Sequence, residues 1–164
     1  MSGMRVLGID PGSRRTGWGV VQLEGTRLRQ IACGTISMPA KLALPERLLQ
    51  IHEGLVQVIA AHAPEAMAVE EIFFAKYANA ALKLGHARGV ALLVGAQAEI
   101  PVHEYPPAIV KRTVVGRGAA DKIQVGRLVT ALLGLPEPPE EDAADALAVA
   151  ITHIQASRSA GIRR

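Results

Sequence analysis

Four carboxylate residues occupy positions at which the sequence predicts strands and helices to begin or end. Asp10 ends an apolar run just before a Pro-Gly turn, and Glu70 ends a second apolar run. Asp142 and Asp145 open a helical pattern near the C-terminus, three residues apart and therefore on one helix face. If these carboxylates converge, they describe a nuclease site that binds divalent metal ions.

Each carboxylate by itself also has an ordinary structural explanation. Asp10 is suited to a turn, Glu70 to a solvated strand end, and Asp142 and Asp145 to the first turn of a helix. However, three of the four Asp residues in the chain fall at such positions, and this combination favours metal binding. Carboxylates suit Mg²⁺, or Mn²⁺ in its place, whereas the chain has neither cysteine pairs nor closely spaced histidines for zinc. Two ions about 4 Å apart would activate water and stabilise the leaving oxygen of a phosphodiester.

Candidate DNA contacts surround the acidic residues in the sequence. Phe73 and Phe74 are the only Phe residues and follow Glu70 closely, where aromatic rings can stack on an unpaired base or open a duplex. Core packing is the alternative for either ring, since successive side chains along a strand point to opposite faces of the sheet. The candidate phosphate-binding residues are Lys76, Lys83, Arg88, Lys111, Arg112 and Lys122.

The charge is unevenly distributed along the chain. Residues 76–127 carry eight basic against three acidic side chains, whereas residues 128–164 carry three against five. Such a division suits phosphate binding by one part and cation binding by the other, although ordinary solvated helix faces explain a weak asymmetry equally well.

Length and composition indicate one globular domain, residues 1–164, with residues 156–164 as a flexible tail. The apolar stretches are interrupted well before the roughly 20 residues of a membrane span. With a lone Cys33 and no apolar leader, the sequence predicts a soluble protein of the reducing cytoplasm that does not contact membranes.

The hydrophobic pattern predicts an α/β fold with a mixed sheet. Strands are expected over 5–10, 16–23, 27–37, 66–72 and 101–105, and helices over 45–62, 78–100, 108–115, 121–133 and 141–155. The helix 78–100 is apolar nearly all round, which predicts burial both against the sheet and against a second copy of the chain.

These residues resemble the RuvC family of Holliday junction resolvases along nearly the whole chain. The matching segments are GIDPGS (8–13), TGWG (16–19), AVE (68–70), AALKLG (80–85), ARGV (87–90), VKRTVVG (110–116) and DAADALA (142–148). The resemblance implies a ribonuclease-H-like fold, a mixed five-stranded sheet flanked by helices. It also implies a homodimer that cuts two opposed strands of a four-way DNA junction, and a branch-migration motor of RuvA and RuvB as partner.

Matched residue by residue, the family's four acidic metal ligands correspond to Asp10, Glu70, Asp142 and Asp145. Phe73 matches the family's junction aromatic. Lys111 and Lys122 match basic residues that lie close to the family's active site.

Three other functions have to be distinguished from this one. A nuclease of the same fold could act on RNA, because carboxylates and a basic surface do not identify the sugar. An actin-like or sugar-kinase nucleotide-binding domain begins with a similar hairpin but needs two such domains. A junction-binding protein without catalysis would leave the four acidic residues without a role.

Overall fold

Five strands form one mixed sheet in the computed structural model, which describes residues 3–71, 77–116 and 121–162. The strands are β1 (Arg5–Asp10), β2 (Arg15–Glu24), β3 (Arg27–Ser37), β4 (Ala66–Glu70) and β5 (Val102–Tyr105). The helices are α1 (Leu44–His62), α2 (Ala78–Gln97), α3 (Pro107–Val115), α4 (Lys122–Leu133) and α5 (Glu141–Ile162).

The spatial order of the strands is β3-β2-β1-β4-β5. The first three strands form an antiparallel meander, whereas β1 pairs with β4, and β4 with β5, in parallel. Each parallel strand is reached through a helix, as a crossover connection requires. The carboxyl ends of β1 and β4 therefore meet at one edge of the sheet, and the fold predicted from the sequence is confirmed.

Helices cover both faces of the sheet, each with its own apolar core. Leu7, Ile9, Met67 and Val69 pack against α1 and α2 on one face. The alternate residues of the same strands face α3, α4 and α5. In the described part of the chain, no helix combines the length and the apolarity needed to cross a membrane.

Glycines in β1 and β2 allow α5 to lie directly on the sheet. A Cβ atom on Gly8 would come 2.0 Å from the carbonyl oxygen of Ala146, and one on Gly17 would come 2.0 Å from that of Asp142. Any larger residue would displace backbone, so the glycines set the distance between α5 and the strand ends.

Some element boundaries differ from the sequence prediction. The helix α2 ends at Gln97 rather than at residue 100, because Glu99 adopts a positive φ of 57°. The helix α5 continues to Ile162, so residues 156–162 are helical where the sequence predicted a tail. The hydroxyls of Ser157 and Ser159 donate to the carbonyl oxygens of His153 and Gln155, which lets the helix accommodate this polar segment.

Candidate active site

Asp10 and Glu70 lie side by side at the carboxyl edge of the sheet. The parallel register pairs Ile9 with Val69, so the next residues of β1 and β4 end the two strands together. Both carboxyl groups point towards α5, because the alternate residues Ile9 and Val69 belong to the opposite core.

The first turn of α5 contributes the remaining predicted acidic residues. The side chain of Asp145 is 19 % exposed and lines the same cleft as Asp10 and Glu70. The side chain of Asp142 is 28 % exposed and lies one turn earlier, where its Oδ2 is 3.7 Å from Nε of Arg15. The structure thus brings three carboxylates into one cleft and leaves Asp142 at the rim.

The cleft has a volume of about 200 Å³ and lies between the ends of β1 and β4 and the helices α3, α4 and α5. Lys111 from α3 and Lys122 from α4 supply its basic groups. Its remaining walls are apolar or aliphatic and are formed by Pro107, Val110, Val125 and Ala148. The arrangement is a partly enclosed acidic centre with cations at its border.

Burial and mutual repulsion raise the pKa values of the acidic residues. The pKa of Asp10 rises to about 8, chiefly because the group is buried and further because Glu70, Asp145 and Asp142 are negatively charged neighbours. Burial and Asp145 raise the pKa of Glu70 to about 7. Burial also raises the pKa of Asp145, although Lys122 opposes the shift. Such shifts mark a site at which a bound cation would relieve unfavourable charge.

Lys122 bridges two acidic residues at the start of α5. Its Nζ lies 2.7 Å from Oε1 of Glu141 and 3.7 Å from Oδ2 of Asp145. The hydrogen bond to Glu141 is the main reason that the pKa of Lys122 is raised. Asp121, which precedes Lys122, accepts a hydrogen bond from the backbone N–H of Gln124 and forms a capping box that holds the helix start in place.

The chemistry of the donors fits a hard divalent cation, in an open rather than a closed arrangement. Within 3–71, 77–116 and 121–162, no three acidic, His or Cys side chains close around one point as in a preformed metal cage. Mg²⁺ commonly uses one or two carboxylates and completes its octahedron with water and substrate phosphate. Asp10, Glu70 and Asp145 fit that mode of binding.

Comparison with known proteins places this chain in a family. The family model for the crossover junction endodeoxyribonuclease RuvC matches residues 6–153. This chain belongs to the RuvC family. Membership confirms the predicted enzyme class, an endodeoxyribonuclease of a metal-dependent family.

Individual relatives match over nearly their full length. The RuvC of Sorangium cellulosum is 57 % identical over 94 % of this chain and 86 % of its own. The RuvC of Azorhizobium caulinodans is 51 % identical over 98 % of this chain and 95 % of its own. The structure of T. thermophilus RuvC in complex with Holliday junction substrate superposes with a TM-score of 0.91, at 38 % identity and with 96 % of both chains covered.

The basic residues predicted to contact DNA in this RuvC-family chain have different environments. Lys111 and Lys122 line the cleft, whereas Lys83 and Arg112 are exposed on α2 and α3. Arg88 forms an ion pair with Glu104 of β5, so its guanidinium is engaged within the protein. The predicted contacts Phe73, Phe74 and Lys76 lie outside the described residues.

Three residues near the site were missed by the sequence reasoning. Arg15 contacts Asp142, Glu141 contacts Lys122, and Gly17 allows the backbone of Asp142 to approach β2. Glu141 directly precedes the predicted acidic pair, but nothing in its spacing indicated a lysine partner on another helix. For Gly17, the available signal was the pair of glycines, Gly17 and Gly19, on either side of Trp18 in the β2 pattern.

Proposed function

We propose that this protein resolves four-way DNA junctions by Mg²⁺-dependent hydrolysis of two opposed strands. The observation that carries the proposal is the cleft in which three carboxylates from β1, β4 and α5 meet beside two lysines. Their raised pKa values support a site that needs a cation, and the Thermus relative bound to a Holliday junction supports the substrate.

The four carboxylates Asp10, Glu70, Asp142 and Asp145 are proposed to hold two ions. When bound, Mg²⁺ would activate a water molecule and stabilise the leaving oxygen of the cleaved phosphodiester, and Mn²⁺ would substitute. The raised pKa values mean that ion binding displaces protons from Asp10 and Glu70.

The lysines are proposed to bind the phosphate that is cut. Lys111 and Lys122 lie on the wall of the cleft, and Lys122 would exchange part of its contact with Glu141 for a phosphate oxygen. Further along the DNA, we propose phosphate contacts for Lys76, Lys83, Arg88 and Arg112, and base contacts for Phe73 and Phe74. Arg88 would have to release Glu104, with which it forms an ion pair, before it could contact a phosphate.

A homodimer is proposed as the working unit. The outer surface of α2 carries Leu82, which is 63 % exposed, and Leu93, which is 51 % exposed, with Gly89 between them on the same helical face. On α1, Leu49 and Val56 are 55 % and 44 % exposed and share one face. This apolar surface supports contact with a second copy, and two-fold symmetry would present two active sites to two equivalent strands.

Cooperation with a RuvA and RuvB motor and a cytoplasmic location are proposed on the family resemblance and the sequence alone. Copurification with each motor component, in the presence of a four-way junction, tests the first of these proposals.

Cleavage of a synthetic junction tests the proposed function. Asp10→Asn, Glu70→Gln and Asp145→Asn should each reduce cleavage in Mg²⁺ by at least about 100-fold while junction binding persists, because lysine and arginine provide most of the phosphate affinity. Glu71→Gln is the matched control, since it changes the neighbouring carboxylate that does not line the cleft. Near wild-type cleavage by two of the three variants would contradict the assignment.

The choice of substrate separates the remaining alternative. A junction resolvase should nick the four-way junction in preference to a linear duplex and to an RNA–DNA hybrid of the same sequence. Preferential cleavage of the hybrid would instead favour a ribonuclease of the same fold.

A further inference from the structure

A second cavity opens directly beside the active-site cleft. It has a volume of about 320 Å³, and Lys122 and Asp145 line both cavities. Its other walls come from the first half of α4, the segment that joins α4 to α5, and the start of α5. A substrate whose phosphate lies between the lysines and carboxylates of the cleft therefore has this cavity as its immediate neighbour.

The walls of this cavity are mainly apolar. Ile123, Pro138, Pro139 and Ala144 line it, and Ile123 is 68 % exposed although it is a large aliphatic residue. The two prolines have restricted φ angles, so this wall is largely preformed. An exposed apolar hollow next to a catalytic centre is typical of a subsite for a ligand.

The charged residues of the cavity argue against a second phosphate. Glu141 and Asp145 are acidic, and Lys122, which is paired with Glu141, is already assigned to the phosphate in the neighbouring cleft. Arg127 is the remaining cation of the lining. Apolar walls bordered by the planar guanidinium of Arg127 and by Glu141, the lining carboxylate that is not shared with the active-site cleft, suit a flat heterocycle that offers ring faces together with hydrogen-bond donors and acceptors.

We propose that this cavity receives the nucleobase attached to the phosphate that is cut, and that the rate of cleavage thereby depends on that base. The inference rests on the proposed function, because it requires a DNA phosphate in the neighbouring cleft. A nucleotide extends from its phosphate through the sugar to the base, and the walls that the two cavities share at Lys122 and Asp145 place the second cavity next to a phosphate bound in the cleft. The base would be unstacked from its neighbours and would lie against Ile123 and the prolines, with Arg127 and Glu141 at its edge.

Gly126 offers a way to fill the cavity without disturbing the protein. It lines the cavity in the middle of α4, and a Cβ atom built on it meets nothing within 4 Å. Gly126→Leu should therefore fold normally, and the helix should gain stability because glycine is a poor helix former. Gly161→Leu is the matched control, since Gly161 lies on α5 with equally open surroundings and away from both cavities.

Cleavage of paired junctions provides the first test. One junction carries the normal base next to the cut phosphate, and the other has an abasic residue there. The wild type and Gly161→Leu should cut the abasic junction at least 10-fold more slowly, whereas Gly126→Leu should cut both junctions at the same reduced rate. Equal rates for the wild type on both junctions, or an unchanged base dependence in Gly126→Leu, would overturn the proposal.

A binding measurement separates this proposal from the proposed function. With 2-aminopurine next to the cut site and Asp10→Asn as the background to prevent cleavage, fluorescence should rise on binding as the base unstacks. Adding Gly126→Leu should abolish the rise without changing junction affinity by more than about 2-fold. If the wild type cuts junctions but no fluorescence change occurs, the base subsite fails while the resolvase function stands. If the wild type cuts no junction, both fail.

Discussion

The phenol oxygen of Tyr105 lies 2.8 Å from Nδ1 of His153 and joins the end of β5 to the middle of α5. His153 is only 6 % exposed, and the ring of His103 stacks on it at a centroid distance of 4.2 Å. Tyr105 pairs with Glu70 in the β4–β5 register and is followed within two residues by the start of α3. The contact therefore ties together the elements that carry Glu70, Lys111 and Asp145.

Acid should weaken the protein through His153. Burial, with a smaller effect of His103, lowers the pKa of His153 from 6.5 to about 4. The unfolded chain takes up this proton more readily, so the stability that neutral His153 contributes is complete above pH 6.5 and is lost as the pH decreases towards 4. In His153→Gln, the melting temperature should depend less on pH across this window, by a few degrees.

His86→Gln serves as the control, because His86 is an exposed histidine on α2. It should follow the wild-type pH profile. A His153→Gln profile parallel to that of the wild type between pH 6.5 and 4 would contradict the interpretation.

Metal-free protein should lose stability as the pH rises. The pKa of Asp10 is raised from 3.8 to about 8 and that of Glu70 from 4.5 to about 7, chiefly by burial. The folded state therefore holds protons that the unfolded chain releases, and the stabilisation present below pH 4 is lost as the pH rises through 7 to 8. In EDTA at pH 8, Asp10→Asn should melt at a higher temperature than the wild type, and the difference should shrink towards pH 5.

At pH 8, added Mg²⁺ should make the wild type melt at a higher temperature than Asp10→Asn. The cation neutralises the deprotonated carboxylates of the wild type, whereas the variant has one carboxylate fewer with which to bind it. Thermal melting with and without Mg²⁺ at pH 5 and pH 8 provides the measurement. If Mg²⁺ changes the melting temperature equally at both pH values and in both proteins, the result would argue against ion binding by Asp10.

Gly17→Ala should damage the site through the backbone. The added Cβ would lie 2.0 Å from the carbonyl oxygen and 2.4 Å from the carbonyl carbon of Asp142, so α5 must move away from β2. We expect a loss of about 1–3 kcal/mol in the free energy of unfolding and at least a 10-fold lower cleavage rate. Gly161→Ala adds the same methyl group in open surroundings and should retain wild-type stability and cleavage. Wild-type values for both variants would show that the contact is not limiting.

Leu93→Glu should separate the proposed dimer. Leu93 is 51 % exposed on α2, so the substitution leaves the core of the single chain intact but places a charge in the apolar surface. Sedimentation at micromolar concentration should give a dimer for the wild type and a folded monomer for the variant, which would nick one strand at most. Leu132→Glu on α4, where the leucine is 41 % exposed, is the control and should remain dimeric. Paired cuts by a monomeric protein would refute the model.

Much of the fold follows from local patterns in the sequence. The strands Arg5–Asp10 and Arg27–Ser37 have the predicted bounds, because alternating apolar residues between Gly-containing turns specify them directly. The predicted end of α5 was wrong, since hydroxyls that satisfy carbonyl oxygens within the helix allow a polar segment to continue it.

The sequence by itself also determined where along the chain the acidic residues stand relative to the strand and helix ends. Only the tertiary structure decided which of them meet: Asp10, Glu70 and Asp145 share a cleft, Asp142 lies at its rim, and Lys122 is bonded to Glu141. Likewise, only the packing of β5 placed Glu104 against Arg88, which remains a proposed DNA contact. Hydrophobic periodicity is a local property of the sequence, so it can place elements but not contacts between them. These contacts depend on how closely α4 and α5 approach the sheet, and packing between distant segments of the chain sets that distance.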